Sequence, residues 1–342
     1  MIAAKQLARQ PTHPRRSSLT IIAGLALLLV ASGVVSIGIG AIRIPPLEVL
    51  QSLIDDAGSV NARIVHELRL PRIIVAAVCG ALFAVSGAML QGVVRNPLAS
   101  PDLVGVGAGA GVAAVVTLIL LPAAPAWLLP VGALIGAWLG FALVIWLSVK
   151  NGEVTPLRVA LIGVAVGAAL GAVQQLVLIR APDSIGQALS FLAGTVYGAD
   201  WTRVARIWPW LALLPIAWLL SGKLDVLAFS DEVSKSLGMR LMLARIACMS
   251  VAVALAAAAV TGAGVLGFVG LIGPHAARLL IGPRHSVLLP ASGLIGATLV
   301  VIADAVGRGL LPPLEIPAGI ITTLIGAPYF LLLMRRQARG RR

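Results

Sequence analysis

Arg95-Asn96-Pro97-Leu98-Ala99-Ser100-Pro101 lies between two apolar runs, 72–91 and 104–121. A polar segment with two prolines is costly inside hydrocarbon, because the backbone groups it frees find no water there. It belongs at a membrane surface or under a cover of protein. Among many spans it marks a hinge in a machine with moving parts rather than an anchor.

The runs on either side extend along the whole chain. Of 342 residues, 59% are hydrophobic and 11% charged. Soluble domains carry about a quarter charged residues, so the expected fold class is an all-α, polytopic membrane protein. Aromatic residues are sparse, and 37 glycines allow helices to approach closely. A net charge of +13 raises a nucleic-acid partner. The basic residues, however, gather at Lys5, Arg9, Arg15 and Arg16, at Arg335, Arg336, Arg339, Arg341 and Arg342, and in short loops. Membrane topology imposes that distribution on cytoplasmic ends, so no nucleic-acid partner is expected. Cys79 and Cys248 each sit in an apolar run and are read as small core residues. They build neither a disulfide framework nor a metal site, and no cofactor is expected in this chain.

A crossing needs about 20 apolar residues. Ten stretches qualify: 19–41, 72–91, 104–121, 127–148, 158–178, 204–220, 244–262, 265–281, 287–306 and 316–334. The first is longer than a signal-peptide core and is read as a retained span. Ten spans put both termini on one side. With the termini and alternate loops inside, eighteen Lys and Arg fall inside and eight outside (Arg43, Arg63, Arg69, Arg72, Arg180, Arg203, Arg206 and Arg308), which supports cytoplasmic termini. Residues 1–18 and 335–342 are then cytoplasmic tails of a ten-span body, 19–334, with a cytoplasmic loop at 221–243. The boundary hardest to place is Thr261-Gly262-Ala263-Gly264. Gly132, Gly136 and Gly140 repeat at four-residue intervals, as do Gly163, Gly167 and Gly171. Each set makes one smooth helical face, suited to tight packing or to a path lining.

Several blocks together carry a resemblance. They are Leu68-Arg69-Leu70-Pro71-Arg72, Ser86-Gly87-Ala88-Met89-Leu90-Gln91 and Arg95 through Val106, then Gly194-Thr195-Val196-Tyr197-Gly198-Ala199-Asp200-Trp201 and Gly267 through Arg278, and finally Pro313 through Ile320 and Gly326-Ala327-Pro328-Tyr329-Phe330. In this order, over residues 68–330, the chain resembles the FecCD-type permease subunits of iron-siderophore, haem and cobalamin ABC importers. The resemblance implies a type II ABC importer permease architecture of ten spans. It also implies a second permease copy or related permease, two cytoplasmic ATP-binding subunits that use ATP and Mg²⁺, and an external substrate-binding protein. The chain itself has no Walker A loop: its Gly222-Lys223 pair is followed by Leu224 and lacks the upstream glycine. It is therefore expected to be a transport subunit, not an enzyme.

Within 221–243, Ser230 can cap a short helix, Asp231 and Glu232 suit its first turn, and Gly238 suits the left-handed stop. Read as Asp231 to Leu237, this helix is too short to stand alone and must dock on something. The resemblance makes it the coupling helix that meets the ATPase. It likewise places Arg69, Arg72 and Arg308 outside as docking residues for carboxylates of the binding protein, a role the planar guanidinium suits. Snorkelling to headgroups is the alternative for a span-end arginine. The translocation path is then lined by the fifth span, with Gly163, Gly167 and Gly171, gated by Thr155 and Pro156. Gly194 to Trp201 form the outer mouth, where Tyr197 and Trp201 contact ligand or anchor at the interface. His275 is expected to make a structural polar contact. Asp304 is expected to pair with Arg308 one turn on.

The function expected is ferric-siderophore import across the cytoplasmic membrane by alternating access. Haem or cobalamin import is the alternative of the same class. An ion-coupled secondary transporter would want acids at mid-membrane, which the spans lack. A membrane-embedded enzyme would want a nucleophile set or a metal cluster, and none stands out.

Overall fold

A computed structural model describes residues 15–40, 42–54, 59–150, 153–180, 185–312 and 314–339. The chain is almost wholly helical there. In order come α1 (Arg15–Gly38), α2 (Pro46–Ile54), α3 (Val60–Arg63), a π-helical turn (Ile64–Arg69), α4 (Leu70–Val94), α5 (Val106–Leu120) and α6 (Leu128–Ser148). A two-stranded hairpin follows, β1 (Val149–Lys150) paired antiparallel with β2 (Glu153–Val154). Next come α7 (Pro156–Leu178), α8 (Ile185–Ala193), α9 (Trp201–Ile207), α10 (Leu213–Leu219), α11 (Ser221–Leu227) and α12 (Asp231–Ser236). The chain closes with α13 (Leu241–Ala263), α14 (Val269–Ile281), α15 (His285–Leu310) and α16 (Ala318–Arg339).

Six of these stretches are long and apolar enough to cross a membrane. Taken together as one span, the bent pair Trp201–Leu219 and Ser221–Leu227, which meet at 48°, makes a seventh. With three shorter apolar helices, Val106–Leu120, Val269–Ile281 and Ala318–Leu332, ten apolar segments stand among the described residues. The ten expected stretches are all present. Three differ in shape. The sixth carries a 3-10 turn at Trp208–Ala212, where Pro209 removes a backbone donor. The eighth starts at Val269 rather than 265, because Gly264 (φ +69°) ends α13 and Phe268 (φ +64°) turns the chain into α14. The last continues to Arg339.

The core is built around α4. Its window of 18 residues is 78% buried, the highest share of any span, and α13, α14 and α15 pack against it. Close approach requires glycine here: a Cβ on Gly80 would lie 2.3 Å from the Gly296 carbonyl oxygen of α15. Polar side chains then bond across the seams. Ser86 donates to the Ala252 carbonyl at 2.6 Å, and Gln91 joins the Gly270 carbonyl at 3.3 Å to the guanidinium of Arg278 at 3.1 Å. With little hydrophobic drive between helices in lipid, such packing and hydrogen bonds hold the bundle. Outside this core, α1 lies against α15, while α5 and α6 form a tight pair that carries α7.

The two glycine repeats have different fates. On α6, a Cβ at Gly136 would fall 2.3 Å from the Gly109 carbonyl oxygen of α5, so this repeat is a packing seam. On α7, Gly167 and Gly171 have no neighbour within 4 Å of an added Cβ, and only 17% of that span is buried. Gly163 is buried. Most of the α7 face is left uncovered by its own chain.

Candidate functional site

Contacts between distant segments define two polar ends. One, the hinge face, gathers residue 95, the β-hairpin, α11, α12 and the starts of α13 and α15. Helix α4 stops at Val94 because Arg95 takes the left-handed conformation (φ +52°), and the prolines beyond it lie outside any long span. Ser230 caps α12 by accepting from the Val233 amide at 3.4 Å, and Gly238 is left-handed (φ +79°). The helix runs Asp231–Ser236, one residue shorter than expected, with Leu237 as its C-cap. A separate helix, α11, precedes it.

The carboxylate at the start of α12 is shared. Asp231 Oδ1 accepts from Arg245 Nη2 of α13 at 2.7 Å and also pairs with Arg95 Nη2. Arg95 in turn donates through Nε to the Leu227 carbonyl at 2.7 Å. Burial would raise the Asp231 pKa, but hydrogen bonds and charge from Arg95 and Arg245 outweigh it and hold the carboxyl below its ordinary value of 3.8. On the other side of the loop, Asp225 of α11 accepts from the His285 amide at 2.9 Å and meets its Nδ1 at 2.7 Å. Trp218 Nε1 donates to the Ser286 carbonyl at 2.9 Å. One side of α12 thus rests on the chain, with Ser234 buried and bonded to the Val226 carbonyl. The opposite side is open: Leu237 is 63% exposed, beside exposed Val233 and Phe229.

The other end, the arginine face, holds Arg69, Arg72 and Arg308, and all three are at most 8% exposed. Arg69 donates to the Ile37 and Ile42 carbonyls. Arg308 donates to the Ser36 hydroxyl at 2.7 Å and the Ile39 carbonyl at 2.7 Å, and its Nε lies 3.0 Å from Asp304, the pairing expected on one helix turn. Arg72 grips Asp304 with Nε and Nη2, the latter at 2.7 Å, and reaches Glu315 with Nη1 at 2.7 Å. Its guanidinium carbon stands 5.9 Å from the Tyr197 ring centre. Arg69, Arg72 and Arg308, expected outside as docking residues, are each held by partners within the chain, as burial of a charge requires. Tyr197 and Trp201 are exposed, and Trp201 Nε1 donates to the His66 carbonyl at 2.9 Å.

Thr155 is the exposed N-cap of α7, without a side-chain capping bond, and Pro156 is its first residue. The His275 ring meets Tyr329 edge to face at 5.7 Å, and its Nε2 is buried without a hydrogen-bond partner.

Reading the sequence alone missed Arg95 and Arg245 as ligands of Asp231, and Glu315 as a ligand of Arg72. A charged residue on the fifth position of an apolar helix, as Arg245 is, was the available signal.

Comparison with known proteins places these features. The model of the FecCD transport family matches residues 28–336. The chain is 42% identical to the Fe(3+)-citrate import system permease protein YfmE of Bacillus subtilis (strain 168), over 97% of this chain and 99% of that one. It is 41% identical to the achromobactin transport system permease protein CbrC of Dickeya dadantii (strain 3937), over 96% of each. A solved inward-facing structure of an ABC transporter described as metal-chelate type superposes with a TM-score of 0.81 at 31% identity, covering 93% of this chain and 99% of that one. With ten apolar helices, an uncovered α7 and matches along nearly its whole length, the chain belongs to the FecCD transport family and is a multi-pass membrane permease.

Proposed function

We propose that this chain forms one half of the membrane path of an ATP-driven importer. The importer carries an iron(III) chelate of the ferric-siderophore class across the cytoplasmic membrane by alternating access. The observation that carries this reading is the open face of α7, where Gly167 and Gly171 look into space that a second permease would close. The partner is another copy or a related chain. Relatives named for iron(III) citrate and achromobactin, similar over almost their full lengths, support the substrate class.

The hinge face is the cytoplasmic one in this reading, with both termini there, as the distribution of Lys and Arg favours. Two ATP-binding subunits, which use ATP and Mg²⁺, receive α12 through Ser230, Asp231, Glu232, Leu237 and Gly238. Thr155 and Pro156 gate the inner end of a path lined by Gly163, Gly167 and Gly171. Tyr197 and Trp201 border the outer mouth. A path with few charges suits a large ligand that must not be held tightly. An external binding protein meets the arginine face. There Arg72 is the residue that receives its carboxylate, exchanging Glu315 for it, while Arg69 and Arg308 brace the site from below.

Uptake into proteoliposomes containing this permease, its ATP-binding subunits and its binding protein tests the reading, with ferric siderophores, haem and cobalamin compared. ATP-dependent accumulation of a ferric siderophore is the expected result. Accumulation of haem or cobalamin alone overturns the substrate, and uptake driven by an ion gradient without ATP overturns the mechanism.

A further inference from the structure

Arg245 joins two parts of the hinge face, the short helix α12 and the β-hairpin before α7. It lies in the second turn of α13 and is 7% exposed. Nη2 donates to Asp231 of α12 at 2.7 Å, and Nη1 donates to the Val154 carbonyl at 3.3 Å. Val154 is buried, closes the β-hairpin and directly precedes Thr155 and Pro156, where α7 begins. One guanidinium therefore touches both the short helix on the surface and the first residues of the helix with the open face. Its Nε is buried without a partner. Arg95 holds the same carboxylate from the end of α4 and so limits how far α12 can retreat.

The geometry points to Arg245 as the positioning residue that delivers displacement of α12 to the entrance of α7. It acts as a two-pronged link between Asp231 and the Val154 carbonyl. The inference rests on the reading of α12 as the contact with the ATP-binding subunits. Lysine cannot replace the link: it keeps the charge for Asp231 but has one nitrogen where the fork supplies several in a fixed plane.

The test uses the assembled transporter in proteoliposomes and compares ATP hydrolysed with substrate moved. Arg245→Lys is expected to assemble and hydrolyse ATP like the parent while transport per ATP falls roughly tenfold, within the range by which residues of coupling networks change linkage. A pure packing role would instead lower both activities together with assembly. Unchanged transport per ATP in Arg245→Lys overturns the inference. A second measurement leaves Arg245 intact. Spin labels at Thr155 and Lys235 should keep one separation with and without ATP, because the linked segments move as one body. A nucleotide-dependent change in that separation overturns the inference as well. Leu237→Asp separates the two levels. If it uncouples hydrolysis from transport while Arg245→Lys does not, the link fails and the reading of α12 stands. If Leu237→Asp behaves as the parent, the reading of α12 fails, and the link fails with it.

Discussion

At the arginine face, Asp304 is the carboxylate on which two guanidinium groups converge, 3% exposed at its side chain. Arg72 takes it with two nitrogens and Arg308 approaches from one helix turn away. Removing one partner of a buried ion pair costs about 3–5 kcal/mol, because the other charge stays buried. Arg308→Ala should sit toward the low end of that range, since Arg72 still neutralises Asp304, but it also frees the Ser36 and Ile39 acceptors. Thermal unfolding in detergent checks this, and an unshifted midpoint would contradict the brace. Glu315 differs in kind: its side chain is 29% exposed. Glu315→Gln should leave stability within about 1 kcal/mol, as partly exposed pairs do. By releasing Arg72 from a competing carboxylate it should tighten association with the binding protein severalfold, measured by surface plasmon resonance at low salt. Weaker association would instead make Glu315 a docking residue in its own right.

At the scale of helices, the glycine repeats on α6 and α7 make opposite predictions. Gly136→Ala places a methyl group against the Gly109 carbonyl and should destabilise by about 1–3 kcal/mol, as overpacking does. Gly167→Ala meets nothing within the chain and should stabilise the isolated helix by about 0.5–1 kcal/mol through reduced backbone freedom in the unfolded state. Unfolding of the two variants side by side decides between a seam and an open face. In sequence these repeats look alike, since spacing specifies a smooth face and says nothing of what lies opposite. The ten spans were legible because apolar length is a local property. So were the Ser230 cap and the left-handed Gly238, whose causes lie within a few residues. The 3-10 turn at Trp208–Ala212 and the late start of α14 were not, because Pro209 and the Gly264–Phe268 turn act against the backdrop of neighbouring helices. The partners of Arg72, Arg95 and Arg245 were illegible for the same reason: none lies within a helix turn of its arginine.

For the molecule as a whole, the face of α7 sets the quaternary expectation. In a Cys79→Ala/Cys248→Ala background, Ala168→Cys on this exposed surface should form a disulfide between two permeases under mild oxidation in membranes. A cysteine at buried Ala137 on α6 should not. Lack of any cross-link at Ala168 and its exposed neighbours along α7 would contradict a like copy across that face. The arginine face has a different consequence, one that concerns manufacture. Arg72 and Asp304 stand 232 positions apart in the chain, and Arg308 finds Ser36 at a separation of 272. Throughout synthesis of the intervening spans, the first of these guanidinium groups has no counter-ion from its own helix bundle. Arrival of the ninth span brings Asp304, and Glu315 follows after it. A truncated product lacking that span leaves Arg72 without Asp304 and leaves α4 without one of the helices that pack against it.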